Sequence, residues 1–347
     1  MKRYIIITVF ILSIAGWQCS KDDHRDLSLK HSLEESAAKL NAATTEIAGS
    51  KGFQLLSVTD DGAKSDDNYG FRDSIDMELI AGVYDFKPIT DQSHHFWFPF
   101  RLFEKTGLNE NLIVNMPEKL VFHPRHLHFC NLADSVLKNN FKINASEYHF
   151  YYTWWNNSDY KLVADFSLDS KDIGSLTMFS TWKSGTAGKY SKNFTFPEGY
   201  TVIRNGTTGD TTKMVFALAE DKDTLLRETL MFTGDGFKRK EKQYSLSIGD
   251  VDIKRTTGSD SIQVYLNGIL QKKAGAKIED NDGDNNSSIC YRRDILLTFD
   301  DGTTAKLSEL ISPALETLKS LSKSLGEMYF SKHIVDYIAL SIYYNNH

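Results

Sequence analysis

The sequence predicts a mainly β fold, an antiparallel meander that is either closed into a barrel or strongly curved, with amphipathic helices at both ends. Three observations carry this reading. From about residue 77 short apolar runs recur at regular spacing with local turn residues between them, the pattern of consecutive antiparallel strands. Two of the turns, Asn267-Gly268 and Asp300-Asp301-Gly302, lie between apolar runs, where Asn-Gly in particular suits a tight hairpin because both central residues need positive φ. Apolar residues at helical spacing stand out near the start and the end of the chain.

Taken in order, Leu29, Leu33, Ala37, Leu40 and Ile47 predict an amphipathic helix over about 28–48, with Gly49 as its stop. Residues 57–74, rich in Asp, Gly, Ser and Asn, read as a loop. Leu79 to Phe86 reads as a strand ending before Pro88. Phe96, Phe98 and Phe100 alternate with His95, Trp97 and Pro99. Lys119 to Phe122 is a short strand and Ala133 to Asn139 a short helix. Residues 147–155 and 160–168 are strands around the turn Asn156 to Asp159. Thr201 to Arg204, Lys213 to Ala219, and Leu225 to Phe232 follow, then Tyr244, Leu246 and Ile248 alternating with Ser245, Ser247 and Gly249. Ile262 to Leu270 and Ile295 to Leu307 each form a hairpin. Leu307, Leu310, Ile311, Leu315, Leu318, Leu321 and Leu325 hold one helical face, on which Pro313 must mark a helix start or a kink. Phe330 to Tyr344 forms a last helix. A barrel and a curved sheet wrapping a helix both protect strand edges. Gly82-Val83-Tyr84 resembles the Gly-x-aromatic start of lipocalin-like barrels, which implies the closed form.

The first residues carry an address. Lys2 and Arg3 precede the apolar run Tyr4 to Ile14, the charged start and short core of a secretory signal peptide. The run is shorter than the ~20 apolar residues that a spanning helix needs. Cys19 follows closely, and Cys19-Ser20-Lys21-Asp22-Asp23 resembles the lipobox cysteine and export signal of surface lipoproteins of the Bacteroidetes. The resemblance covers about the first twenty-five residues. It implies cleavage before Cys19, acylation of its thiol, and an outer-membrane lipid anchor that faces the outside of the cell. More than one acyl chain makes such anchoring stable. The expected organisation is a signal peptide over 1–18, a tether over 19–28 and a β domain over 29–347, with two subdomains meeting near 157 as an option.

The formal net charge of −6 argues against nucleic acid and anionic headgroups as partners. Cys130 and Cys290 remain after Cys19. In an oxidising compartment they either pair or stay as two buried thiols.

Several residue groups point to binding. Tyr148, Phe150, Tyr151, Tyr152, Trp154, Trp155 and Tyr160 concentrate aromatic rings beside Asn156, Asn157 and Asp159. One side of such a strand fills a core. Phe150, Tyr152 and Trp154 share one side and Tyr151 and Trp155 the other; whichever set is exposed offers rings, among them Tyr152, Trp154 or Trp155, to stack on sugars, with Asn157 and Asp159 as hydrogen-bonding groups. His126 and His128 share a strand face with Cys130 and suit zinc, while Leu127 and Phe129 suit burial of the opposite face. Asp280, Asp282 and Asp284 alternate as calcium loops do, without the remaining EF-hand positions, so a solvated turn is the competing reading. Asp210-Thr211-Thr212 resembles the Bacteroidetes O-glycosylation triplet, which implies Thr211 as an acceptor. Ser184 to Tyr190 is a turn and not a phosphate loop, because Lys183 and Tyr190 occupy positions that need Gly and Ser or Thr. No nucleophile elbow or acid/base pair is nominated. The expectation is a surface lipoprotein that binds a glycan or small apolar ligand without catalysis. The alternative is an assembly lipoprotein that docks onto a protein partner.

Overall fold

A computed structural model of the chain describes residues 28–58, 74–87, 103–122, 138–153, 157–184, 186–234, 240–256, 262–280, 293–327 and 335–346. It is a mainly β protein with one large, mostly antiparallel sheet of 18 strands that curls without closing into a barrel. Of the two expected forms the curved sheet holds, and the closed barrel implied by Gly82-Val83-Tyr84 does not.

The sheet follows the chain. Strands β5 (Phe141–Thr153), β6 (Asn157–Leu168), β7 (Lys171–Lys183), β8 (Gly188–Thr195), β9 (Tyr200–Thr208), β10 (Thr211–Glu220), β11 (Asp223–Thr233), β12 (Lys240–Ile248), β13 (Val251–Thr256) and β14 (Ile262–Leu266) each pair antiparallel with the next. Beyond β14 come β15 (Ile269–Leu270), β16 (Gly275–Asp280), β17 (Arg293–Thr298) and β18 (Thr304–Lys306). On the other side of β5 lie β1 (Ser74–Asp76) and β4 (Leu112–Met116), and β4 pairs in parallel with β2 (Gly82–Phe86), which carries β3 (Phe103–Gly107). Residue 157 falls inside this ladder, opposite Thr153 and Lys183.

The hairpin signals hold in detail. Tyr265 pairs with Leu270 and Leu266 with Ile269, while Asn267 and Gly268 take φ of 51° and 76°, as a tight primed turn requires. Leu296 pairs with Lys306 in the second predicted hairpin.

Helices fill the curl. α1 (Leu29–Gly49) buries Leu29, Leu33, Ala37, Leu40 and Ile47, four of them predicted from their spacing to lie on one face with Leu29. Ser50 ends it by donating to the Ile47 carbonyl and starts α2 (Lys51–Leu56) by accepting from Phe53 N–H. Two further short helices, α3 (Met77–Ile80) and α4 (Glu118–Phe122), replace predicted strand. At 118–122 the cause is local: Pro117 suits a helix start, and Asn140 Oδ1 accepts from the Glu118 N–H. The C-terminal periodic run divides at Ile311 into α5 (Leu307–Leu310) and α6 (Ser312–Glu327), with Pro313 at the start of the second. The last helix is α7 (Asp336–Asn346).

α1 packs on α6 and on β11, β12 and β13, while α6 also meets β9. Gly249 permits the approach of α1, since a Cβ there would lie 2.3 Å from Ser36 Oγ. α7 packs on α3, β1 and β3. A single continuous apolar cluster joins these helices to the concave face of the sheet.

Candidate functional site

Period-two alternation sends one set of side chains from each strand to the concave face, and the registers align them in transverse rows. One row reads Ala164, Leu176, Phe194, Val202, Leu218, Leu226, Ile248 and Val251, all apolar and buried. The next reads Leu162, Met178, Lys192, Arg204, Phe216, Glu228, Leu246 and Ile253. Three charged groups have entered the concave face here. Lys192 Nζ donates to the Gly326 carbonyl at 3.0 Å, and Arg204 Nη1 to the Ser322 carbonyl at 2.7 Å. Gly326 lies among the last four carbonyls of α6, which lack an intrahelical donor, and Ser322 one turn earlier, both near the negative end of the helix dipole. Glu228 is 5 % exposed in the same row.

Beyond the end of α6 the face changes character again. The third row reads Tyr160, Ser180, Tyr190, Gly206, Met214, Leu230 and Tyr244. Its first five members are half-buried. Tyr190 lies across Gly206, where a Cβ would come within 2.8 Å of its hydroxyl oxygen. At the rim, Ser158 pairs with Trp182, Gly188 with Thr208, and Thr212 with Phe232. Trp182 is 46 % exposed. Across β6–β10 the last two rows present aromatic rings, hydroxyls and a thioether, and no formal charge.

Tyr160 ties this region to α7. Tyr148 and Tyr160 each donate to Asp336 Oδ1 at 3.0 Å, and the two rings meet edge to face at 6.2 Å. Burial first, then the Asp336 charge, hold the Tyr148 hydroxyl well above the ordinary tyrosine range. Phe150 meets Tyr160 at 6.3 Å and packs against the core. The described inward part of the predicted aromatic group is therefore core packing.

The predicted site residues are placed as follows. Asp159 is half-buried on the convex face, opposite in direction to its neighbour Tyr160. Thr211 is exposed at the start of β10. Tyr152, Asn157 and Asp280 are placed by pairing with Ser158, Lys183 and Arg293, and their side chains lie outside the described set. Cys19, His126, His128, Cys130, Trp154, Trp155, Asp282, Asp284 and Cys290 lie outside the described residues. Among the described residues no group of three or more His, Cys, Asp or Glu is arranged to hold a metal ion. No described helix is long and apolar enough to cross a membrane.

None of Trp182, Tyr190, Lys192, Arg204, Thr208 and Thr212 is among the predicted site residues: the first three lie on β7 and β8, which the sequence reading does not resolve as strands, and the other three lie on β9 and β10, where nothing local singles them out. A usable signal existed: Leu176, Met178, Ser180 and Trp182 alternate, as do Gly188, Tyr190, Lys192 and Phe194. An isolated strand glycine such as Gly188 marks close approach of another group. The chain matches no protein-family model, no curated protein and no solved structure, so its function is read from this geometry.

Proposed function

We propose that the chain is a lipid-anchored surface protein that binds a glycan or small apolar ligand, without catalysing a reaction, at the open end of its concave face. The observation that supports the reading is the gradient across the three transverse rows. Where α6 covers the sheet the face is apolar and buried, and beyond its end the face turns half-buried, aromatic and hydroxyl-bearing. Binding sites are concave and mostly apolar with a few oriented polar groups, and Ser180, Trp182, Tyr190 and Met214 meet that description. The address rests on Cys19 and the segment before it. Anchoring through acylated Cys19 puts the protein in the outer membrane, facing outward.

A thermal-shift screen of the purified full chain against neutral and acidic oligosaccharides, fatty acids, calcium and zinc tests this reading. A ligand that binds only the native state adds about 2.7 kcal/mol of stability at a hundred times its Kd. A dose-dependent rise with an oligosaccharide or a fatty acid is expected. A rise with neither class would sink the reading.

A second reading, docking onto a protein partner, has its own observation. Ile269 and Leu270 are 68 % and 39 % exposed on the β14–β15 hairpin. A pull-down that depends on those two side chains, with no small-ligand shift, would favour it.

A further inference from the structure

We infer that the rim formed by Trp182, Gly188, Thr208 and Thr212 is a subsite for an uncharged sugar ring, a step that rests on the ligand-binding reading above and names its ligand class. The indole lies against a strand glycine. A Cβ at 188 would stand 2.6 Å from Trp182 Cε3 and 2.7 Å from Thr208 Oγ1. Gly188 thus leaves the room that lets the ring lie low on the sheet beside the Thr208 hydroxyl, while 46 % of Trp182 stays open to solvent. A flat, exposed ring supported from beneath is a stacking platform for the C–H face of a pyranose.

The second observation is independent of the ring. Thr208 Oγ1 and Thr212 Oγ1 are both buried without a hydrogen-bond partner among the described residues, and Thr212 as a whole is 4 % exposed. A buried hydroxyl without a partner is costly and uncommon in native proteins. Two of them side by side at the end of one hairpin, next to an exposed tryptophan, point to a ligand that supplies the missing partners. A sugar ring combines what this rim asks for: an apolar face for the indole and hydroxyls that both donate and accept for the threonines. The rim and the row next to it across β6–β10 carry no formal charge, and Lys192 and Arg204 in the row beyond are turned to the Gly326 and Ser322 carbonyls, which favours a neutral sugar over a uronic acid or a fatty acid carboxylate.

The test uses the purified full chain with maltohexaose, mannohexaose and chitohexaose as probes, read by melting temperature and tryptophan emission. Thr212→Val separates a ligand role from a packing role because the two predict different pairs of results. Removing an unpartnered buried hydroxyl while keeping the shape raises the melting temperature by about 1–3 °C. The same change lowers affinity for the bound saccharide about tenfold, through the loss of one ligand hydrogen bond. Trp182→Phe keeps a ring and measurable binding, yet loses most of the saccharide-induced change in emission. Trp182→Ala loses binding at least tenfold. A Thr212→Val protein that melts lower than the parent overturns the inference, since the hydroxyl then has a structural partner. Saccharide binding that is indifferent to Trp182 and Thr212 also overturns it, and leaves the wider ligand-binding reading standing with its site elsewhere. No shift of the parent protein with any saccharide or fatty acid removes both.

Discussion

Tyr200 shows how one side chain can couple sheet and helix. It is 7 % exposed at the start of β9, and its hydroxyl donates to Glu46 Oε2 of α1 at 2.9 Å. Burial, followed by the Glu46 hydrogen bond and charge, pushes its ionisation from 10.0 up to about 12. The neutral phenol is the form that the fold favours, so this contribution to stability is complete below pH 10 and is lost as pH rises from about 10 to about 12. Alkaline unfolding followed by circular dichroism should steepen in that window, and Tyr200→Phe should flatten it. An unchanged profile in the variant would remove Tyr200 as the cause. Thr208 and Thr212 carry the opposite lesson at the same scale, because their hydroxyls are buried and gain nothing visible from the fold. A sequence lists these three residues as ordinary polar positions. Only the rows of the sheet separate the hydroxyl that finds a carboxylate from the two that find nothing.

Among the elements, α6 is held at both ends by side chains from elsewhere. Asn41 of α1 accepts from the Ala314 N–H in its first turn, and Arg204 and Lys192 serve its last carbonyls. Hydrogen bonds to charged donors are worth about 1.5–3 kcal/mol, so Arg204→Ala should lower stability to denaturant by that order. Gly326 makes the guanidinium's position available, because a Cβ there would lie 2.2 Å from Arg204 Nη1. Gly326→Ala should therefore destabilise the parent. In the Arg204→Ala background it should stabilise by up to about 1 kcal/mol, as alanine restores helix propensity. Additive effects in the double variant would break the argument. The local part of this architecture was legible. Leu33, Ala37, Leu40 and Ile47 announce α1, Asn267-Gly268 announces its hairpin, and Leu318, Leu321 and Leu325 announce α6. The Leu79–Ile80 and Lys119–Phe122 segments were misjudged because apolar runs of four or five residues fit a strand or a buried helical turn equally well. β7 and β8 escaped because Ser180, Tyr190 and Lys192 interrupt the apolar alternation on the concave side. Two of those interruptions, Ser180 and Tyr190, belong to the candidate site.

For the whole molecule, the relevant fact is a single apolar cluster running from Leu29 to Ile342. Leu318 is fully buried where α6 lies within the curl. Leu318→Ala should cost about 2–5 kcal/mol, and unfolding should remain one transition by far-ultraviolet dichroism and tryptophan emission together. Two separated transitions would show that the sheet has halves that melt apart. The open curl itself was not legible from the sequence. Whether eighteen strands close depends on β3 and β18, far apart in sequence, meeting or not meeting in space. No turn signal or alternation encodes that distance. The transverse rows are hidden for the same reason, since Trp182 and Thr212 reach one rim only through the registers of three intervening hairpins.

The enclosure of α1 sets an order of events during synthesis. The helix is complete once residue 49 has emerged, yet the surfaces that cover its apolar face come from β11–β13 and from α6, more than 170 residues later in the chain. Until then the faces of Leu29, Leu33, Leu40 and Ile47 that these elements cover have no such cover. Long-range closure of this kind is slow and leaves sticky intermediates. An early helix is thus a late one to find shelter, and a holding factor present during synthesis would act on it.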